Sequence, residues 1–484
     1  MNLYIGKNYL SFLENSIIIG IIMIFSFSSC TKLVEVNGPT TSVNKDYVYN
    51  SDATAVAVLN GIYAKMSSGA LLDGPNVCSF MPLFPGLSAD EFTLFANTGT
   101  NIQAFYINAL TNTTSPNIWS NTYPYIFTVN SAIEGLETST GLTPAIKKQL
   151  MGEAKFLRAF FYFYLVNLYD NVPLVLTTDY KVNSLISRTD KEDVYKQMII
   201  DLKDAITLLS EDYLDTNVKN VTNERVAPVK WAADALLARV YLYHKDYADA
   251  ITESNLVINH SALYSLVSLD EVFLANSHEA IWQLTPVNNG WNTEDARLFI
   301  LPSSGPNDAW PVYLSNNILN AFELGDMRRS KWVDSVILES DGITYYFPYK
   351  YKNAVLDNPV TEYKMMLRLA EQYLIRAEAK SEQGDLDGAI MDLNKIRNRA
   401  GVDNYNGEIN KAQVASAILH EREVELFSEF GHRWLDLKRT NNIDGVMATV
   451  AVQKGGSWTS DFKLYPISDY DLQYDKNLVQ NPGY

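Results

Sequence analysis

The segment Glu153-Ala-Lys-Phe-Leu-Arg-Ala-Phe-Phe-Tyr-Phe-Tyr-Leu-Val-Asn-Leu-Tyr169 is apolar almost all the way round a helical wheel. A surface helix keeps a polar face, so a helix without one is covered on most sides. The segment therefore predicts a central helix inside a large body. Val172-Pro173 ends it, because the residue before a proline is pushed out of the α region. A chain of 484 residues is long enough to cover such a helix with a sizeable core.

Other periodic segments supply the cover. Ser51-Asp52 opens a helix that runs through Asn60-Gly-Ile-Tyr63. Asn117 to Leu136 carries Trp119, Tyr123, Ile126, Val129 and Ile133 at helical spacing. Two stretches read as helix–turn–helix repeats, Ala235 to Ile251 and Tyr373 to Ile390. Each sets small and aromatic residues at close-packing positions, turns on a short polar link and resumes with Ala-Ile. That pattern resembles tetratricopeptide units, whose open apolar faces must stack on one another. Within the second link, Asp385-Leu-Asp387-Gly388 faintly resembles a calcium loop without its remaining ligands, and a helical turn accounts for it. The expected fold is mainly α, a scaffold of tetratricopeptide-like helix pairs with a less regular, loop-rich half. Two stretches, about 67–116 and about 278–357, are rich in Gly, Pro and Asn and read as irregular. Long loops inside a compact body are usually functional, and the aromatic content here argues against disorder.

The N-terminus predicts export. Lys7 is followed by an apolar run from Ser16 to Phe27, then Ser28-Ser29-Cys30. The run is too short for a spanning helix, which needs roughly twenty residues, and suits a signal peptide. Small residues before the cysteine resemble the lipobox of bacterial lipoproteins, so residues 1–29 are expected to be removed and Cys30 lipidated. Residues 30–46 read as a tether and 47–484 as a single domain, divided at about 240/241. With Cys30 lipidated, Cys78 has no partner in the chain, which excludes a disulfide framework and a cysteine-based zinc site.

The net charge of −17 argues against nucleic acid, which needs clustered Lys and Arg. None of the five histidines forms His-Glu-x-x-His, and phosphate-loop, nucleophile-elbow and kinase motifs are missing from the sequence. No cofactor or metal is expected. The densest carboxylate cluster, Glu421, Glu423, Glu425 and Glu429, lies among Arg422, Arg433 and Arg439 and reads as an ion-pair network.

Several stretches together resemble the SusD/RagB family of Bacteroidetes outer-membrane lipoproteins. They are Glu153 to Ala159 with Asp170-Asn-Val-Pro-Leu174, Leu367 to Ala379, Leu393 to Gly401, Glu421 to Phe427 with Gly431 to Arg439, and Tyr465-Pro-Ile-Ser-Asp to the final Asn-Pro-Gly-Tyr484. The resemblance implies a non-catalytic protein on the outer face of the outer membrane. It would capture oligosaccharides and deliver them to a SusC-like TonB-dependent transporter. The alternatives are a lipid-anchored glycan hydrolase, or a tetratricopeptide-type assembly lipoprotein that binds a protein or peptide.

A sugar binder needs flat aromatic faces and polar groups for hydroxyls. Trp291, Trp310 and Tyr313 in the second irregular stretch are the candidate faces, with Asn288, Asn289 and Asn292 beside Trp291. Asp90, Phe95 and Asn97 in the first stretch are candidates for the opposite wall. Trp119, Trp231 and Trp434 sit in helical patterns and are expected in the core.

Overall fold

In the computed structural model, which describes residues 48–95, 100–338 and 342–484, the central helix is where the sequence puts it. The scaffold helices, numbered along the chain, begin with α1 (Asp52–Ser67), α2 (Ile118–Thr138), α3 (Pro144–Tyr169) and α4 (Lys191–Leu208). Every residue from Phe156 to Val166 of α3 is buried. α1, α2 and α4 pack directly on it. Ser51 does stand at the N-cap of α1, but its side chain makes no capping bond there. The Asp52 carboxylate instead accepts from the Thr143 N–H and hydroxyl at 2.9 and 2.7 Å, which ties the start of α1 to the start of α3.

α5 (Lys230–His244) packs on α4, and α6 (Tyr247–Asn259) on α5. After a strand-rich interval the succession resumes with α7 (Leu369–Glu382), α8 (Leu386–Arg399), α9 (Lys411–Leu426) and α10 (His432–Arg439). α7 packs on α6, α8 on α7, and α9 on both α7 and α8. Both helix–turn–helix pairs expected from sequence are present as α5–α6 and α7–α8. The small residues are the reason the pairs approach closely: Ala377 and Ala389 are fully buried against Leu393, Val414 and Ile418. At the α7–α8 link, Gly384 takes φ +89°, and the Asp385 carboxylate accepts from the Gly388 N–H at 3.0 Å. Asp385 is thus a helix cap, which accounts for the calcium-like spelling. Trp119, Trp231 and Trp434 are all buried. Among the described residues no helix is long and apolar enough to cross a membrane.

α3 also carries a buried carboxyl that has no cationic partner among the described residues. Glu153 accepts from Tyr63 Oη at 2.8 Å and Gln149 Nε2 at 3.0 Å. Burial pushes its pKa up to about 7, against the pull of those two donors. A carboxyl raised in the folded state contributes most stability below its unfolded pKa of ~4.3, and that contribution is lost as pH rises through about 7. Glu153→Gln is therefore expected to match the parent at pH 5 and to be more stable than it by ~2 kcal/mol at pH 8. Urea midpoints at the two pH values check this; equal differences at both would contradict it.

The two stretches expected to be irregular contain short elements. The first holds helices Val77–Phe80, Phe84–Ser88 and Thr100–Tyr106 and strand β1 (Phe92–Leu94). Between Ala280 and Arg368 lie β2 (Ala280–Leu284), β3 (Val312–Leu314), β4 (Val333–Leu338), β5 (Ile343–Pro348) and β6 (Lys364–Arg368). They form three antiparallel pairs, β1–β3, β2–β6 and β4–β5. A three-residue strand has no stability of its own, so local sequence does not announce it. The pairing of β1 with β3 brings the two stretches together, with Thr93 opposite Tyr313 and Leu94 opposite Val312.

An aromatic ledge as the candidate ligand site

The β1–β3 register places Phe95 and Tyr313 side by side, because Phe95 N–H continues the ladder to the Pro311 carbonyl at 2.7 Å. Both rings stand edge-on to Tyr345 of β5, with centroids 5.9 Å away for Phe95 and 5.1 Å for Tyr313. Tyr345, Phe347 and Leu301 form the buried floor of this cluster, and Phe95, Trp310 and Tyr313 lie half-buried over it. Burial raises the Tyr313 hydroxyl pKa, with nearby Tyr106 and Tyr345 adding to the effect. Edge-to-face packing of this kind contributes ~0.5–1.5 kcal/mol per pair beyond burial, so the floor holds the upper rings rigidly.

Trp310 is further oriented by its indole N–H, which donates to the Arg297 carbonyl at 2.9 Å. Arg297 lies on the helix Glu294–Phe299, and its guanidinium sits 4.9 Å from the Trp291 ring centroid. The same residue thus reaches one tryptophan through its backbone and the other through its side chain. Trp291 follows Gly290, whose φ is +78°; a Cβ there would come 2.5 Å from Asp357 Oδ1. The Gly290 carbonyl accepts from the Asp357 N–H at 2.7 Å, which pins the turn. Phe95, Trp310 and Tyr313 are therefore one cluster, and Trp291 is linked to it through Arg297.

The polar candidates divide. Asp90 does not reach the ledge. Its two oxygens accept from Arg433 at 2.8 and 2.7 Å, and it is 5% exposed. Asn292 is buried too: its side-chain oxygen accepts from the Thr361 and Glu362 N–H groups at 2.8 and 3.0 Å. Both are frame residues, because a buried polar group must find its partners inside the protein. Asn288 donates to Glu294 Oε1 at 2.6 Å. Asn289 is exposed beside Gly290. Asn97 and Cys30 lie outside the described residues. Sequence reasoning passed over Tyr106 and Arg297, since a helical Tyr or Arg in a loop-rich stretch carries no mark of its neighbours.

The ends of the strands are tied to the scaffold by a buried ion network. Arg328 precedes β4 and donates to Glu421 and Glu425 at 2.6 and 2.9 Å. Lys350 follows β5 and reaches Glu429 at 2.5 Å and the Glu425 and Phe427 carbonyls at 2.8 Å each. Arg368, which ends β6, contacts Glu279, Glu425 and Glu429 at 3.0, 2.5 and 2.8 Å. Arg399 pairs with Glu279 and Glu425 as well. Burial alone would raise the Glu425 carboxyl, but Arg399, Arg368, Arg328 and Lys350 outweigh it and hold it well below the usual carboxylate range. The glutamate cluster is thus an ion network, although its main partners come from other elements rather than from its own helix. Glu421 and Glu425 are fully buried and engaged by arginines, so neither faces a substrate.

Comparison with known proteins gives the same arrangement a family. A model described as "SusD family" matches residues 321–484, and one described as "Starch-binding associating with outer membrane" matches residues 87–242. The chain is 24% identical to a SusD-like protein P2 of Formosa agariphila, over 96% of this chain and 98% of that one. A SusD superfamily protein of Bacteroides vulgatus superposes with a TM-score of 0.76 at 21% identity, covering 90% of this chain and 99% of that one. A laminarin-binding SusD-like protein superposes with a TM-score of 0.72 at 24% identity, covering 90% and 99%. The first model begins inside the strand-rich interval and takes in β4, β5 and β6, and residues 243–320 lie between the two models. On the fold, the motifs and the matched models, the chain belongs to the SusD family.

Proposed function

We propose that this protein binds oligosaccharides without cleaving them and passes them to a SusC-like TonB-dependent transporter, held to the outer face of the outer membrane by lipid on Cys30. The observation that carries the reading is the ledge of Phe95, Trp310 and Tyr313, three partly exposed aromatic side chains packed on one buried floor. Such faces stack on the apolar sides of sugar rings, while neighbouring polar groups take the hydroxyls. The family description of outer-membrane association and the laminarin-binding relative support it. The hydrolase alternative loses its best carboxylates, since Glu421 and Glu425 are closed in the ion network.

Calorimetric titration with a panel of glycan oligomers, laminarin oligosaccharides included, tests the reading. Saturable binding with unchanged oligomer length on chromatography is expected. Shortened products, or no binding across the panel, would refute it. Cys30→Ala is expected to move the protein from the membrane to the soluble fraction of cells, and a barrel protein is expected to co-purify with the parent.

A further inference from the structure

A cavity of about 410 Å³ opens where the C-terminal end of α3 meets the first turns of α4 and the ends of α5 and α10. It lies on the scaffold and is lined by none of the ledge residues. Lys191, Lys245, Lys438, Arg439 and Lys463 line it, a concentration of cations in a chain of net charge −17. Each of its three acids already has a partner. Glu192 is held by His244 Nε2 at 2.8 Å, while His244 Nδ1 bonds Asp246 at 2.6 Å. Asp444 accepts from Trp458 Nε1 at 2.8 Å and Ser460 Oγ at 3.0 Å. Asp170 sits 3.2 Å from Lys191. Arg439 is taken up by Glu378 and Asp436.

Three lysines are left over, and one of them, Lys245, is exposed. Lys438 donates to the Asn167 carbonyl in the last turn of α3, and Lys463 reaches only Ser460 Oγ, at 3.4 Å. Among the described residues no carboxylate lies within ion-pair distance of either ammonium. Capping α3 explains one of the three donors of Lys438. It does not explain why Lys463 and Lys191 gather around it against their mutual repulsion.

We propose that this cavity binds a small oxyanion group, a sulfate, phosphate or carboxylate, through Lys438 and Lys463. An oxyanion would supply acceptors to both ammonium groups and neutralise the local excess of charge. The groups facing Lys438 are Asp170 from α3, Lys191 and Glu192 from α4, His244 and Lys245 from α5, Arg439 beside it, Asp444 from the helix Ile443–Gln453, and Lys463. Burial, then Lys463 and Lys191, lower its pKa to about 7, with Asp170 opposing. The proton that the anion needs is therefore present at pH 6 and absent at pH 8.5.

The test is calorimetric titration of the full chain with sodium sulfate and, separately, sodium glucuronate, at constant ionic strength. Saturable one-to-one binding is expected, at least fivefold weaker at pH 8.5 than at pH 6. Lys438→Met is expected to abolish it. Because Lys438 also caps α3, Lys463→Met is the deciding variant: it should weaken binding at least threefold while melting temperature and neutral-glycan binding stay unchanged. Sulfate binding alone assigns the site to a free inorganic anion, and glucuronate binding assigns it to the acidic group of a sugar. No saturable binding of either anion, or unchanged affinity in both lysine variants, overturns the proposal.

Discussion

Arg368→Met is expected to lower the unfolding free energy by ~3–5 kcal/mol, the largest effect of any single substitution considered for this protein. Arg368 is 2% exposed and is held by Glu279, Glu425 and Glu429 together with the Glu425 carbonyl at 2.8 Å. Methionine fills similar volume but leaves three carboxylates in the interior with fewer cations to share. The penalty arises from the stranded charges, because a complete buried network roughly balances its own desolvation. Arg368→Lys is expected to recover only part of the loss, since one ammonium cannot replace a planar fork that serves three carboxylates and a carbonyl. An exposed pair makes the contrast. Lys196 and Asp193 are 2.8 Å apart in solvent, and Lys196→Met should change stability far less. Urea midpoints at pH 7 measure all three. A loss for Arg368→Met no larger than that for Lys196→Met would mean that the network does not anchor the strand-rich interval.

Trp310→Ala is expected to reduce affinity for the cognate glycan at least tenfold, or ~1.4 kcal/mol, with a small change in stability. Its ring is half-buried, so truncation removes an exposed face and leaves the Tyr345–Phe347 floor in place. Trp310→Phe keeps a flat face but loses the bond to the Arg297 carbonyl, and should fall between the two. Tyr313→Ala should act in the same direction, and the double variant should bind below detection. Trp291→Ala reports how far the ledge extends. A loss comparable to that of Trp310→Ala would join both tryptophans in one arc through Arg297. Unchanged affinity in both Trp310→Ala and Tyr313→Ala would remove the ledge from the binding site.

The helices were legible because their signals are local. The all-apolar wheel of α3 and the Ala-rich faces of α5 and α7 repeat over many residues, and each repeat adds to the signal. The strand pairs left no such trace. β1 and β3 have three residues each and are separated by more than two hundred positions, so their pairing depends on contacts that no window of sequence contains. The same limit governs the candidate site. Phe95, Trp310 and Tyr313 could be proposed from composition, and the structure gathers them. Asp90 and Asn292 were equally plausible by residue type, and each instead has a buried partner, Arg433 or the 361–362 backbone.

What the sequence determined by itself was a mainly helical body built around one buried helix, paired repeats, and a family that its motifs identify. These rest on periodicity and on short contiguous spellings, which survive without any knowledge of distant contacts. Which polar residues face a ligand, which arginines close over Glu425, and how Lys438 and Lys463 come to share one cavity were decided only by the tertiary structure. The reason is physical. The role of a charged or polar side chain is set by its partners and its burial, and in this chain those partners stand tens to hundreds of residues away.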